Sequence, residues 1–177
     1  PPIALRVNRI KATVEEVVEA LRARGLSVRV SSRYPLIVFV ERGNLPLKSL
    51  DLLREGKVIV QDEPSALAAA LLDPKPGETV VDLCAAPGGK TTHLAELMEG
   101  VGTVYAFDVF HDRMMRLREV VERHGVGHMV EAIIADGRRA PRILGEEVAD
   151  KVLVDPPCST TGTLAKNPDV RWRITVE

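Results

Sequence analysis

Two short strings in this sequence carry residue types that can do chemistry. The first, Asp155-Pro156-Pro157-Cys158-Ser159, sets a carboxylate and a thiol around two prolines. The prolines stiffen the segment and remove backbone donors, so its carbonyls and the Asp155 carboxylate project in a fixed arrangement. Such a loop beyond a strand end suits a transfer reaction on a flipped-out base, whose polar edge it can hold. An aromatic in fourth place would stack on the base for reaction at an exocyclic amine, and Cys158 stands there instead. A thiolate that adds to C6 of a cytosine makes C5 nucleophilic, so a cysteine suits methylation at carbon. The alternative is that Cys158 is a small buried apolar side chain.

The second string is Asp82-Leu83-Cys84-Ala85-Ala86-Pro87-Gly88-Gly89-Lys90-Thr91-Thr92. Small residues let backbone pass close to a ligand, and Gly88-Gly89 permits φ angles that other residues avoid. The helix that follows offers free N–H groups to a carboxylate or phosphate. The spacing matches neither a P-loop nor G-x-G-x-x-G. Two later strands also end in acids. Asp108 can hold both hydroxyls of a ribose, and Asp136 can accept from an adenine amino group. Either alone is more often a turn or helix-cap residue than a ligand. Three successive junctions with these residues fit an adenosine that carries a carboxylate, namely S-adenosylmethionine. Arg113, one turn into the next helix, either reaches the ribose or adenine edge or is a surface arginine.

The elements that position these strings follow from periodicity. The spacing predicts a strand at 4–7, a helix capped by Thr13 with Glu16 three residues on, strands at 28–30 and 36–40, and a loop and short helix over 45–54. The pattern changes near Gly56. A short strand at 58–61 and a helix at 65–72 lead to Pro74-Lys75-Pro76-Gly77. Buried strands at 79–83, 103–107, 130–134 and 151–154 then alternate with helices at 90–98 and 112–123. Near-continuous apolar strands separated by amphipathic helices predict a parallel sheet with right-handed crossovers. The expected division is a small α+β unit over 1–56 and an α/β unit over 57–177.

With 177 residues, 45% hydrophobic and 28% charged, the chain is expected to be soluble, with a real core and no membrane span or signal peptide. Pro1 does not look like a natural start. Two cysteines are too few for a disulfide framework and suit a reducing cytoplasm. Residues 1–60 hold 11 Lys+Arg and 6 Asp+Glu, whereas residues 61–177 hold 13 and 19. A basic front half suits a phosphate-facing surface or simply a solvated helix face. The arginines between positions 6 and 42 are candidate phosphate contacts, with none singled out. Trp172, between Arg171 and Arg173, either stacks on a base or packs a loop. His93, His111, His124 and His128 have no metal-ligand spacing with the cysteines, so no metal site is expected.

Together the two strings, with Ser159-Thr160-Thr161-Gly162-Thr163, Asn167-Pro168-Asp169-Val170-Arg171-Trp172, Leu5-Arg6-Val7-Asn8 and Val60-Gln61-Asp62-Glu63-Pro64-Ser65, resemble the Nop2/Sun (Fmu-type) family of S-adenosylmethionine-dependent RNA cytosine-C5 methyltransferases. The resemblance covers nearly the whole chain. It implies a Rossmann-like class I methyltransferase sheet, strands 1–4, preceded by a small α+β RNA-contacting domain. It further implies that Cys84, Ala85, Ala86, Pro87, Gly88, Gly89, Lys90, Asp108, Arg113, Asp136 and Asp155 line the cofactor and base pocket. Cys158, Asp155 and Lys90 become the catalytic candidates, with Lys90 toward the target nucleotide or its phosphate.

The resemblance also recasts Cys158. In this family the Pro-Pro-Cys cysteine assists product release, and the attacking thiol comes from a Thr-Cys-Ser loop after a fifth strand. Only 19 residues follow Cys158, and none is cysteine. The chain is therefore expected to be an incomplete, inactive portion of an enzyme acting on ribosomal or transfer RNA, monomeric when full length. In the strand order 3-2-1-4-5-7-6 its fourth strand would be left as an open edge. The alternatives are a non-catalytic RNA- and S-adenosylmethionine-binding fragment, or an amino-group methyltransferase, which Cys158 disfavours.

Overall fold

Side chains alternate along β1 (Ile3–Val7), and that alternation builds the front sheet. Leu5 and Val7 face one side and Ala4 and Arg6 the other, and all four are buried. In the computed structural model, which describes residues 2–43 and 50–156, β1 pairs antiparallel with β3 (Ile37–Arg42) and with β4 (Val58–Val60). Strand β2 (Ser27–Val30) completes the order β2-β3-β1-β4. Leu5, Val7, Val38 and Val40 pack on Val17 and Leu21 of α1 (Val14–Arg22). Helix α1 opens with the expected capping box: Glu16 N donates to Thr13 Oγ1 at 3.2 Å and Thr13 N to Glu16 Oε2 at 2.8 Å. Of the segment expected over 45–54, α2 (Asp51–Arg54) is the described helical part.

The second sheet is parallel, formed by β5 (Thr79–Asp82), β6 (Thr103–Asp108), β7 (Val130–Ile134) and β8 (Lys151–Leu153) in the order β7-β6-β5-β8. Counted within this unit the order is 3-2-1-4, the Rossmann-like arrangement expected. On one face Val80, Val104, Ala106 and Leu153 pack against α3 (Glu63–Leu72), α4 (Gly89–Leu97) and α5 (His111–His124) through Ala69, Leu94, Met98, Leu117 and Val121. The other face sets Val81 and Phe107 against Ala140 and Leu144 of α6 (Ala140–Leu144). Among the described residues β8 pairs only with β5, and Val152 within it is 46% exposed.

The structure differs from the sequence reading at three points. Val58–Val60, assigned by the 56/57 division to the second unit, makes its ladder with β1, since Leu5, Arg6 and Val7 stand opposite Val60, Ile59 and Val58. Helix α3 starts two residues before the expected Ser65 because Pro64, which lacks an N–H, fits a first helical turn. Helix α6 and the single turns Gly127–Met129 and Gly137–Arg139 were not foreseen, being too short to show a period.

The two sheets meet across a buried seam. Ala66 of α3 packs with Ala4 and Ile37 of the front sheet, while Ala69, one turn on, belongs to the core of the second. Arg6, wholly buried, donates from Nη2 to Glu96 Oε1 and to Thr92 Oγ1, each at 2.9 Å. It therefore belongs to the interior, not to the arginines available for phosphate. Asn8 Nδ2 donates to Gly56 O at 2.9 Å and His124 O at 3.0 Å, and His124 Nδ1 lies 2.8 Å from Glu96 Oε1. Tyr34 Oη and the buried His93 Nε2 stand 2.7 Å apart.

Candidate functional site

The carboxyl ends of β5, β6, β7 and β8 open onto a cavity of about 660 Å³, within the range of small-molecule sites. In doubly wound sheets this is where ligands bind. Its wall includes Cys84, Ala85, Ala86, Pro87, Gly89, Lys90, Asp108, Arg113, Asp136 and Asp155. Gly88 is the exception among the candidates. At φ +106 it caps α4 in the left-handed region, and a Cβ there would stand 3.3 Å from Leu117 Cγ. Its smallness therefore serves the packing of α4 on α5 as much as any ligand. Cys158, with Trp172, Arg171 and Arg173, lies outside the described residues.

Each wall is held by identifiable bonds. Asp82 ends β5, is 1% exposed, and accepts Thr91 Oγ1 at 2.8 Å, which ties the strand end to the first turn of α4. Burial pushes its carboxyl up to about 6, against the Thr91 hydroxyl and the Cys84 N–H, which act the other way. Asp108 ends β6 with its side chain 4% exposed; Oδ1 accepts Phe110 N at 3.0 Å and Oδ2 lies 3.4 Å from Arg113 Nη1. Arg113 also donates to Ala86 O at 2.5 Å, and its guanidinium lies over the Phe110 ring. It braces the cavity wall rather than standing free on the surface.

Lys90 Nζ donates to Ser65 Oγ at 2.7 Å and pairs with Asp155 Oδ2 at 2.5 Å. The ion pair joins the first junction of the sheet to the fourth. Asp136 caps the turn after β7, and Arg138 holds its carboxyl well down, at about 2, by direct hydrogen bonds. Cys84 is pushed the other way: burial first, then Asp82, Asp108 and Asp155, raise its thiol. Its protonated form is a poor nucleophile. Sequence reasoning did not single out Asp82, Gln61, Ser65 or Phe110 as site residues, though all lie in or beside motif strings it had quoted. The signal available was position at a strand end or flank of a junction.

A second, apolar hollow of about 570 Å³ lies below the sheet, lined by Val81, Leu83, Ala140, Pro141, Leu144 and Val152. Its polar residues, Arg138, Glu146 and Glu147, are exposed, and among the described residues no buried acid, base or nucleophile lines it. The chemistry belongs to the upper cavity. Among the described residues no group of three or more His, Cys, Asp or Glu is placed to hold a metal ion, and no helix is long and apolar enough to cross a membrane.

The upper cavity fits an adenosine that carries an amino acid. Asp108, at a strand end and fixed on one oxygen by Phe110 N, can accept ribose hydroxyls with the other. Helix α4 starts without a side-chain cap, which leaves its first N–H groups for an anionic arm.

A family model described as 16S rRNA methyltransferase RsmB/F matches residues 69–177. The ribosomal RNA small subunit methyltransferase B of Pseudomonas syringae pv. tomato is 38% identical over 172 residues, 97% of this chain and 38% of its own length. The crystal structure of PH0851 superposes with a TM-score of 0.95 at 53% identity, over 99% of this chain and 39% of that one. A methyltransferase homolog protein from Pyrococcus horikoshii follows with a TM-score of 0.84 at 32% identity, over 97% of this chain and 55% of its own. The chain thus spans less than two fifths of the curated relatives it matches.

Proposed function

The chain belongs to the 16S rRNA methyltransferase RsmB/F family, and from that premise we propose that it supplies the cofactor pocket and base-side loop of an RNA cytosine-C5 methyltransferase. The cofactor is S-adenosylmethionine, which when bound supplies an electrophilic methyl carbon. The substrate is a cytosine in structured ribosomal or transfer RNA, in the cytoplasm. The observation that carries this is the convergence of the Cys84–Lys90 loop, Asp108, Asp136 and Asp155 on one cavity. Asp108 takes the ribose hydroxyls, Asp136 the adenine amino group, and the start of α4 the carboxylate. Lys90 and Asp155, paired at 2.5 Å, stand on the side where the target base arrives.

Cys158 is assigned to product release. The 177 residues hold one other cysteine, Cys84, whose thiol is kept protonated on the cofactor side. The attacking thiol of the covalent adduct is therefore supplied from outside these residues, and the chain alone is expected to bind cofactor without methylating RNA. The share of its relatives that it spans also favours a second reading, a non-catalytic fragment that binds RNA and S-adenosylmethionine. As for domains, the division remains a small α+β unit followed by the methyltransferase unit, with the front sheet borrowing β4.

Calorimetric titration tests the pocket. S-Adenosylmethionine should bind the chain, and Asp108→Ala should abolish that binding. Unchanged affinity in the variant would sink the assignment. Tritium transfer to RNA by the chain alone would overturn the placement of the attacking thiol.

A further inference from the structure

Gln61 lies between the two sheets, 8% exposed, and lines the cavity beside Gly89. Its Oε1 accepts from Arg6 Nη1 at 2.5 Å, and the same nitrogen donates to Gly89 O at 2.5 Å. A guanidinium carries donors and no acceptor. The Gln61 amide can therefore turn only its oxygen toward Arg6, and its Nε2, with two N–H donors, must face the other way. Nε2 lies 3.5 Å from where a Cβ on Gly89 would stand, at the first turn of α4. Arg6 cannot turn aside to release the amide, because Nη2 is held at 2.9 Å by both Glu96 and Thr92 in a fully buried seam.

We propose that Arg6 and Gln61 form a positioning pair that presents N–H donors at the start of α4 to the carboxylate of the cofactor's amino-acid arm, a role that rests on the cofactor assignment above. The polarity of the cavity supports the choice of ligand group. Asp108 and Asp136 are acceptors and suit hydroxyls and an amine. The Gln61 side, with the uncapped start of α4, offers donors and suits an anion. Gln61 touches the ligand in this scheme, whereas Arg6 acts through it by fixing which end of the amide is presented.

The test compares two ligands in the 177-residue chain. S-Adenosylhomocysteine carries the amino-acid arm, and 5′-methylthioadenosine keeps the adenosine and thioether but lacks it. The wild-type chain should bind both. Gln61→Leu should weaken S-adenosylhomocysteine on the order of ten-fold or more, as expected for a lost bond to a charged group, and leave 5′-methylthioadenosine unchanged. Gln61→Glu keeps the shape and still accepts from Arg6, but sets a negative charge against the carboxylate, so its selective loss should be larger. Arg6→Lys keeps the charge opposite Glu96, loses the two-pronged hold, and should give a smaller loss of the same selectivity. Equal weakening of both ligands would make Gln61 a structural residue only and overturn the proposal, as would no weakening of either. If the wild-type chain binds neither ligand, the cofactor assignment itself fails and the positioning role falls with it.

Discussion

Arg6 and Glu96, 90 residues apart in the chain, pair at 2.9 Å with both side chains wholly buried. One comes from the front sheet and the other from α4, so the pair spans the seam. Removing one member leaves the other as an uncompensated buried charge, which costs about 3–5 kcal/mol. Glu96→Leu should therefore lower the stability measured by urea denaturation by that order. Asp51→Ala, which breaks the exposed pairs with Arg24 and Arg54, should cost no more than about 1 kcal/mol. Similar losses in the two variants would show that the seam does not hold the units together.

Gly56 meets α5 so closely that a Cβ on it would lie 2.1 Å from Arg123 O, and its φ is +69. Gly77, at φ +89, has nothing within 4 Å of the same position. Gly77→Ala carries backbone strain alone and should cost about 1 kcal/mol. Gly56→Ala adds a backbone clash across the seam and should cost at least about 2 kcal/mol more. Thermal unfolding of the two variants side by side decides the point, and equal shifts in Tm would refute the close approach.

Asp82 sets a pH dependence whose sign follows from its raised carboxyl. Its folded value of about 6 exceeds the ordinary 3.8, so its contribution to stability is complete below about pH 4 and is lost as the pH rises through 6. The stability of the wild type relative to Asp82→Asn should fall by on the order of 3 kcal/mol between pH 4 and pH 7. Parallel pH profiles for the two proteins would remove Asp82 as the source.

His93 acts in the opposite direction. Burial, then the nearby Arg6 charge, lower it from 6.5 to about 2, so the folded chain holds it neutral. The unfolded chain takes up a proton below pH 6.5, and stability tied to His93 is lost as the pH falls from there. Compared with His93→Gln, the wild type should lose more stability between pH 7 and pH 5. Identical losses by chemical denaturation would contradict the neutral, buried imidazole.

Much of the candidate site was legible because its parts are local. The Cys84–Lys90 string, Asp108, Asp136 and Asp155 each lie at the end of a strand whose apolar run can be read without knowing its neighbours. A parallel sheet then brings those ends to one side. The seam was not legible for the converse reason. Arg6 occupies an alternating strand where a charge usually marks a solvent face, and Glu96 sits on a helix 90 residues later. Nothing local announces that each will be buried against the other. The same applies to β4, whose three residues fit either unit until its partner β1 is known. Arg113 shows a finer limit: it was readable as a surface arginine, yet it braces the Ala86 carbonyl.

The seam also restricts how the molecule can move. A hinge between the two units would have to draw Arg6, Asn8 and Tyr34 away from Glu96, His124 and His93 together, breaking a buried ion pair and several hydrogen bonds at once. That makes the front sheet a fixed jaw and not a swinging arm. On the proposed function, an RNA strand reaching Asp155 meets a preset opening, and the bending and unstacking needed to deliver a base fall to the nucleic acid.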